Sequence, residues 1–312
     1  MLLLVVMQRR RFLALATAAV AGSPILRPAV GRAAGQPTLR IGLIADAQYA
    51  DVEASGTRHY RRSLDKLAEA VSRFDQLGLA FCLNLGDLID RGWEHFDAIL
   101  AALAASSHRF HHVLGNHDFE VPGECKARVP ARLGLTQRQY VLEQAGWSVV
   151  VLDTNDVSVY AHPESTAAHG EAVAAFQRLA NTGARNAQTW NGALSDRQLQ
   201  WMEAACQSAA RAGRRVIVVA HHPVYPDDAH NVWNSARVLE VLDRNRNAVA
   251  WLNGHNHAGA FGMRNGVPFI TLKGMVETRD TNAYAVLNLH ADRLELVGYG
   301  REPSREVKFR ER

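Results

Sequence analysis

The sequence predicts an α/β domain built on a mixed sheet or two packed sheets. Three observations carry that expectation. From about residue 38, short apolar runs alternate with stretches of helical spacing. Beyond residue 267 the chain turns to successive strands. Five short polar segments each begin where an expected strand ends, the edge at which open α/β sheets place their ligands.

Residues 39–45 form an apolar run that suits a buried strand. Residues 57–77 carry helical spacing through Leu64, Leu67, Ala70, Val71 and Phe74. Residues 80–85 read as a second strand, 96–105 as a helix, 110–114 as a third strand and 147–152, rich in valine, as a fourth. A polar stretch with an Ala-rich helix runs to about Asn191. Residues 195–212 form a helix with Ser195 as its N-cap. Strands are expected at 215–220, 249–252, 267–272, 284–289 and 294–299. No internal repeat or low-complexity segment interrupts this order.

The 312 residues, 47% hydrophobic and 21% charged, allow one large domain with a substantial core. A net charge of +4 is too small at this length for a nucleic-acid footprint, so no nucleic-acid partner is expected. The three cysteines, Cys82, Cys125 and Cys206, have no CxxC or zinc-ribbon spacing, which argues against a thiolate metal site. They leave room for one disulfide in an exported protein.

The amino terminus reads as an address. Arg9, Arg10 and Arg11 precede Phe12-Leu13 and an Ala-rich apolar run to Ala21, with small residues near Ala33-Ala34. Arg-Arg-x-Phe-Leu resembles the bacterial twin-arginine export signal. The expected organisation is a leader at 1–34, a catalytic domain at 38–302 and a tail at 303–312. Export by the twin-arginine machinery to the periplasm or beyond is expected, with no stable membrane insertion once the leader is removed. A non-functional leader would leave the protein in the cytoplasm.

The five polar segments carry the chemistry. They are Asp46-Ala47-Gln48, Gly86-Asp87-Leu88-Ile89-Asp90-Arg91, Gly115-Asn116-His117-Asp118, His221-His222-Pro223 and Gly254-His255-Asn256-His257. Carboxylate and amide oxygens suit Mg²⁺ and Mn²⁺, and imidazoles suit transition metals. Two cations close together need a shared ligand, and a carboxylate such as Asp87 can bridge. Such a pair clamps the attacking and leaving oxygens of an in-line phosphoryl displacement and activates a water between them. Each segment alone is weak, because an Asp after a strand is commonly a cap. Their repetition at strand ends makes the set specific.

Together the segments resemble the calcineurin-like metallophosphoesterase superfamily, whose pattern runs D-x-H, G-D-x-x-D, G-N-H-D/E, H-x-P and G-H-x-H. The resemblance spans roughly residues 39–300 and implies a four-layer α/β/β/α sandwich with two mixed β-sheets and a dimetal centre at one edge. It implies Asp46, Gln48, Asp87 and His257 as ligands of one metal, and Asp87, Asn116, His221 and His255 as ligands of the second. His117 would protonate the leaving oxygen or stabilise the charge at phosphorus, and Asp118 would orient it. In the fourth segment the pattern selects His221 rather than His222. Asp90 and Arg91 are read as structural.

One departure is informative. Gln48 stands where most of the superfamily has His, which exchanges an imidazole for an amide oxygen and favours Mn²⁺ or Mg²⁺ over Zn²⁺. The run from Ile44 to Asp51, with Thr57-Arg58 and Tyr60-Arg61, resembles the manganese-dependent ADP-ribose/CDP-alcohol diphosphatase family. So do Asn191 to Ser195 with Gln198-Leu199-Gln200-Trp201, and Thr271 to Thr278.

The implied cofactor is a pair of divalent ions, Mn²⁺ first, with Mg²⁺, Fe or Zn²⁺ as alternatives. The implied partner is a small-molecule phosphoester or nucleotide diphosphate, and the implied reaction is hydrolysis of its phosphoanhydride or phosphodiester bond. A cyclic-nucleotide phosphodiesterase or broad phosphomonoesterase is the alternative within the superfamily. A metal-stabilised binding protein is the alternative outside catalysis. Tyr49, Arg58, Trp190, Tyr225 and Trp233 are candidate substrate contacts, as aromatic platforms and a cation for a nucleotide.

Overall fold

The computed structural model of the protein describes residues 35–310. The leader reading concerns residues 1–34, which lie outside the described residues. Two six-stranded mixed sheets form the centre. The first has the order β12-β11-β10-β1-β2-β3: Arg305–Lys308, Arg293–Gly300, Ala283–Leu289, Leu39–Ile44, Phe81–Asn84 and Phe110–His112. The second has the order β4-β5-β6-β7-β9-β8: Tyr140–Gln144, Trp147–Val151, Arg215–Val219, Ala248–Asn253, Val267–Thr271 and Ala260–Arg264.

Alternation along the strands explains the layers. Ile41, Leu43, Phe81, Leu83, Ala285 and Leu287 point from the first sheet into a core shared with Trp147, Val149, Val151, Ile217, Val219 and Leu252 of the second. The residues between them point outward and are also buried. Ile44, Cys82, Tyr284 and Val286 pack under helices α1 (Ser63–Asp75) and α2 (His95–Ala104) through Leu67, Ala70, Phe74, Phe96 and Ile99. The short helices α3 (Gly123–Lys126) and α4 (Val129–Arg132) connect β3 to β4, and α5 (Ala167–Ala180) follows β5. Val150, Val216, Val218, Trp251 and Phe269 pack under α6 (Asp196–Arg211) and α7 (Ser235–Arg244) through Leu199, Met202, Cys206, Val238 and Val241. Strands buried on both faces read as continuous apolar runs, which is why β1, β5, β6 and β7 stand out in the sequence. Burying each such Leu, Ile or Val contributes about 1.5–3 kcal/mol. The result is the expected four-layer α/β/β/α arrangement.

Helix starts follow local chemistry. Ser195 caps α6 by accepting from the Gln198 amide at 3.2 Å. Gln198 then ties α6 to the end of β5, accepting from Asp153 N and donating to Asp153 O, both at 2.8 Å. Helix α1 begins at Ser63 rather than at 57, because residues 57–59 pair with 276–278 instead. The expected tail is part of the domain: β12 pairs antiparallel with β11, and Phe309 packs on Trp147 at 5.6 Å. All three cysteines are free thiols, Cys82 and Cys206 buried. Among the described residues no helix is long and apolar enough to cross a membrane.

Strand direction sets the position of the site. β1, β2 and β3 run parallel, as do β5, β6, β7 and β9. The loops that leave β1, β2, β3, β6 and β7 meet at one edge of the two sheets.

Candidate dimetal site

Five loops bring nine polar residues to that edge. Asp46 and Gln48 follow β1, Asp87 follows β2, and Asn116, His117 and Asp118 follow β3. His221 follows β6, while His255 and His257 follow β7. The loops are stitched together by their backbones: Asp46 N donates to Gly86 O (3.2 Å), Gln48 N to Asp87 O (2.9 Å) and Gly254 N to His221 O (3.1 Å). Asp46, Gln48, Asp87 and His255 all adopt left-handed conformations, with φ of 52°, 43°, 55° and 70°. Non-glycine residues there are strained by about 1–3 kcal/mol each, and such strain gathers where geometry serves a function.

Two sets of donor atoms converge. Asp87, His221 and His255 offer atoms all within 4.8 Å of one another, and so do Asp46, Asp87 and His257. Asp87 belongs to both. Asn116 Oδ1 lies 3.1 Å from His221 Nε2, which adds an amide oxygen to the first set. Gln48 borders the second: its Nε2 donates to Asp87 Oδ2 at 3.0 Å, while its Oε1 is buried with no hydrogen-bond partner among the described residues. A buried acceptor left unpaired costs about 1–3 kcal/mol. A cation is the partner that oxygen lacks, so the donor set fits two divalent ions.

Neighbouring acceptors fix the histidine tautomers. His221 Nδ1 donates to Leu85 O at 2.8 Å, leaving Nε2 facing Asp87 Oδ2 at 3.3 Å. Asn191 spends its NH₂ on Asn186 O (3.0 Å) and Ala229 O (2.7 Å), so its Oδ1 accepts from His255 Nε2 at 2.9 Å. That leaves His255 Nδ1 with the lone pair. Metal-ligating histidines are held in this manner, one nitrogen donating outward and the other free to ligate.

The electrostatics are those of a cluster that shares charge. Burial pushes the Asp87 carboxyl up, but the His221 and His117 imidazoles and hydrogen bonds from His221 and Gln48 outweigh it and hold it well below the usual carboxylate range. Asp46 is raised by burial, only partly offset by His257 and His221. Burial opposes the His221 charge, yet Asp87 beside it pushes the imidazole up to about 9. His255 is held well below the usual imidazole range by burial and by His222, His221 and His230 around it.

His117 stands at the wall of the cavity with its backbone N donating to Asp87 Oδ1 at 2.8 Å. Its orienting partner is not Asp118. Asp118 is buried beneath the loop, its Oδ1 accepting from Leu88 N (2.8 Å) and its Oδ2 from Gly115 N (2.9 Å). It is a strut between two ligand loops, and burial beside the Asp87 charge pushes its carboxyl up to about 7. Asp90 takes the orienting role instead. His117 Nδ1 donates to Asp90 O at 3.0 Å and lies 3.5 Å from Asp90 Oδ1.

Gln48, Asp87, Asn116, His255 and His257 form the floor of a cavity of about 410 Å³, whose wall includes Arg58, His117, Glu120, Trp190 and His230, with Asp46 and His221 buried beneath. Of the five expected substrate contacts, Arg58 and Trp190 line it, with Trp190 45% exposed. Tyr49, Tyr225 and Trp233 do not. Tyr49 packs edge-on against His95, Tyr225 against Phe269 at 5.2 Å, and Trp233 is buried against Phe176 at 5.5 Å. Tyr49 and Tyr225 are half-buried at the margins of the two outer cores and Trp233 is buried, so none of the three rings stands at this cavity. His222 lies outside both donor sets, with its Nδ1 2.6 Å from Thr154 Oγ1 and its Nε2 3.2 Å from Trp190 O. Asn191, His230, Glu120 and Glu277 join the site from positions that no strand-end pattern marks. Glu277 Oε1 accepts from His257 Nδ1 at 2.8 Å.

Two sheets with a shared carboxylate at their common edge define a metal-dependent phosphoester hydrolase. The chain belongs to the calcineurin-like phosphoesterase family, whose sequence pattern matches residues 39–259. Its relatives are more particular. A protein of Arabidopsis thaliana named manganese-dependent ADP-ribose/CDP-alcohol diphosphatase is 30% identical over 315 aligned residues, covering 89% of this chain and 100% of that one. A protein of the same name from Danio rerio is also 30% identical, covering 85% of this chain and 96% of its own. A crystal structure of a dimetal phosphatase from Danio rerio matches with a TM-score of 0.80 at 28% identity, over 88% of this chain and 100% of that one.

Proposed function

We propose that the protein hydrolyses a phosphoanhydride or phosphodiester bond in a nucleotide-like small molecule of the ADP-ribose/CDP-alcohol type, with manganese as its metal. The carrying observation is Asp87, common to two donor sets at the floor of a cavity walled by Arg58, His117 and Trp190. Asp46, Gln48, Asp87 and His257 would hold one ion, and Asp87, Asn116, His221 and His255 the other. Two divalent cations bound there neutralise phosphoryl oxygens and supply hydroxide from water near neutral pH. A donor set with amide and carboxylate oxygens, three imidazoles and no thiolate suits Mn²⁺, the metal named for the two relatives.

The chain's own groups divide the remaining work. Arg58 offers a guanidinium fork to a phosphate. The exposed Trp190 indole offers a flat surface for a base. With Nδ1–H held by the Asp90 carbonyl, His117 can give a proton to the leaving oxygen from Nε2 when the ring is doubly protonated, and is left as the neutral Nδ1–H imidazole. The resemblance of Arg-Arg-x-Phe-Leu at residues 9–13 to a twin-arginine signal extends the proposal to export by that route. A fusion to a reporter that acts only after folded export tests it, and cytoplasmic retention counts against it.

The deciding experiment is turnover of Mn²⁺-loaded protein on ADP-ribose, CDP-choline, cyclic nucleotides and p-nitrophenyl phosphate. Release of nucleoside monophosphate from the first two supports the proposal. Turnover confined to cyclic nucleotides or monoesters replaces it with the alternative reading.

A further inference from the structure

The segment 274–278 lies outside the five strand-end motifs, yet it is tied to one metal-ligand set from several sides. Met275 N donates to Ala45 O and Val276 N to Asp46 O, both at 2.9 Å. Gly274 N donates to His257 O at 3.1 Å, and a Cβ on Gly274 would stand 2.7 Å from His257 Cγ. Backbone and ring therefore pack as closely as glycine permits.

Two cations pin the same segment from behind. The buried Lys66 ammonium donates to Met275 O and Glu277 O at 2.9 Å, and to Thr278 O. Arg301 Nη2 donates to Gly274 O (2.5 Å) and Glu277 O (3.1 Å). Thr278, in the left-handed region at φ 62°, donates its N–H to Thr57 O at 2.8 Å. Segments so anchored hold a side chain in one place. Here the side chain is Glu277, whose Oε1 lies 2.8 Å from His257 Nδ1 and 3.6 Å from Arg58 Nε.

We infer that Glu277 is a positioning residue for the metal centre: its carboxylate accepts a hydrogen bond from His257 Nδ1–H and so leaves the Nε2 lone pair facing Asp46. His257 Nε2 lies 3.6 Å from Asp46 Oδ1. A carboxylate behind a ligating imidazole fixes the tautomer and strengthens the ligand, and its loss costs 10–100-fold in metal affinity. Arg58 shares the same carboxylate and reaches the cavity, so the ligand and the substrate wall meet at one group. The inference rests on the dimetal reading of the site.

The test is Mn²⁺ titration of metal-free protein, followed by calorimetry and by the spin-coupled electron paramagnetic resonance signal of paired ions, with circular dichroism as the folding check. Wild type should bind two ions and show the coupled signal. Glu277→Gln, which keeps the volume and an acceptor oxygen, should weaken one ion by about 10-fold. Glu277→Ala should weaken it by up to about 100-fold and leave a mononuclear signal at stoichiometric metal. Arg58→Ala removes the ion pair without touching His257 and should still bind two ions. Two ions at wild-type affinity with an unchanged coupled signal in Glu277→Gln would overturn the inference. Failure of wild type to pair two ions would instead overturn the dimetal reading.

Discussion

Gly115 gives the most exposed prediction. A methyl group built on its Cα would overlap Asp87 Oδ1 and the Asp87 amide nitrogen and come within 2.8 Å of Asp87 Cγ. The neighbours cannot yield cheaply. Gly115 N is held by Asp118 Oδ2 at 2.9 Å, and His117 N by Asp87 Oδ1 at 2.8 Å, so the two loops are joined on both sides of the clash. Relief therefore requires Asp87 and the 115–117 backbone to separate by on the order of 1 Å. Misplacement on that scale costs about 100-fold in rate, and overpacking costs a further 1–3 kcal/mol or so of stability. Because Asp87 serves both donor sets, Gly115→Ala should weaken both ions, whereas a change at His257 would touch one. Steady-state kinetics, Mn²⁺ titration and a thermal melt on the purified variant measure all three. Wild-type kcat/KM with two tightly bound ions would refute the reasoning that Asp87 is placed by this contact.

Other substitutions and conditions separate the remaining roles. Gln48→His, which restores an imidazole, should lower the ratio of Mn²⁺- to Zn²⁺-supported activity; an unchanged ratio removes the case for Gln48 as the source of metal preference. His117→Ala should lower kcat by about 10²–10⁴-fold with the metal content intact, and a loss below about 10-fold would take His117 out of proton transfer. In the metal-free protein His221 is pushed up to about 9, since the Asp87 charge outweighs burial. Its stabilising charge is then fully present below the unfolded imidazole pKa of about 6.5 and is lost as pH rises through about 9. Mn²⁺ needs the neutral ring, so binding near pH 7.5 or so should release a proton and tighten towards pH 9. Calorimetry in buffers of different ionisation enthalpy measures that release, and its absence would contradict the His221 assignment.

Of the strands whose loops carry the site, β1, β2, β6 and β7 were legible because burial on both faces leaves an apolar run, whereas the edge strand β3, Phe110-His111-His112, is half-exposed and was marked by the Val113-Leu114 that follow it. β4, β8 and β12 were not, for the opposite reason. They lie at or near sheet edges, with half-exposed alternation and polar neighbours, as in Ala260–Arg264 and Arg305–Lys308. Residues 57–59 lie in a stretch of helical spacing, but they are claimed by pairing with 276–278, a contact more than 200 residues away in sequence, and helical backbone begins only with the 3-10 turn Tyr60–Arg62. Among site residues, the donors were readable because each follows a strand within a few positions. Asp118 and Asp90 share that placement, and only the direction of their hydrogen bonds separates a strut from an orienting group. Asn191 and Glu277 support ligands that lie 64 and 20 residues from them in sequence, through loops the tertiary fold brings back. Tyr225 and Trp233 carry the same chemistry as Trp190. Only packing distinguishes rings that close a core from one that stands at a cavity wall.

Counting manganese tests the central claim most directly. Metal-free protein equilibrated with Mn²⁺ and analysed by mass spectrometry of the metal should hold two ions per chain, and Asp87→Ala should lose the pair together with phosphohydrolase activity. Two ions retained by Asp87→Ala, or wild-type turnover from it, would contradict a centre built on one shared carboxylate.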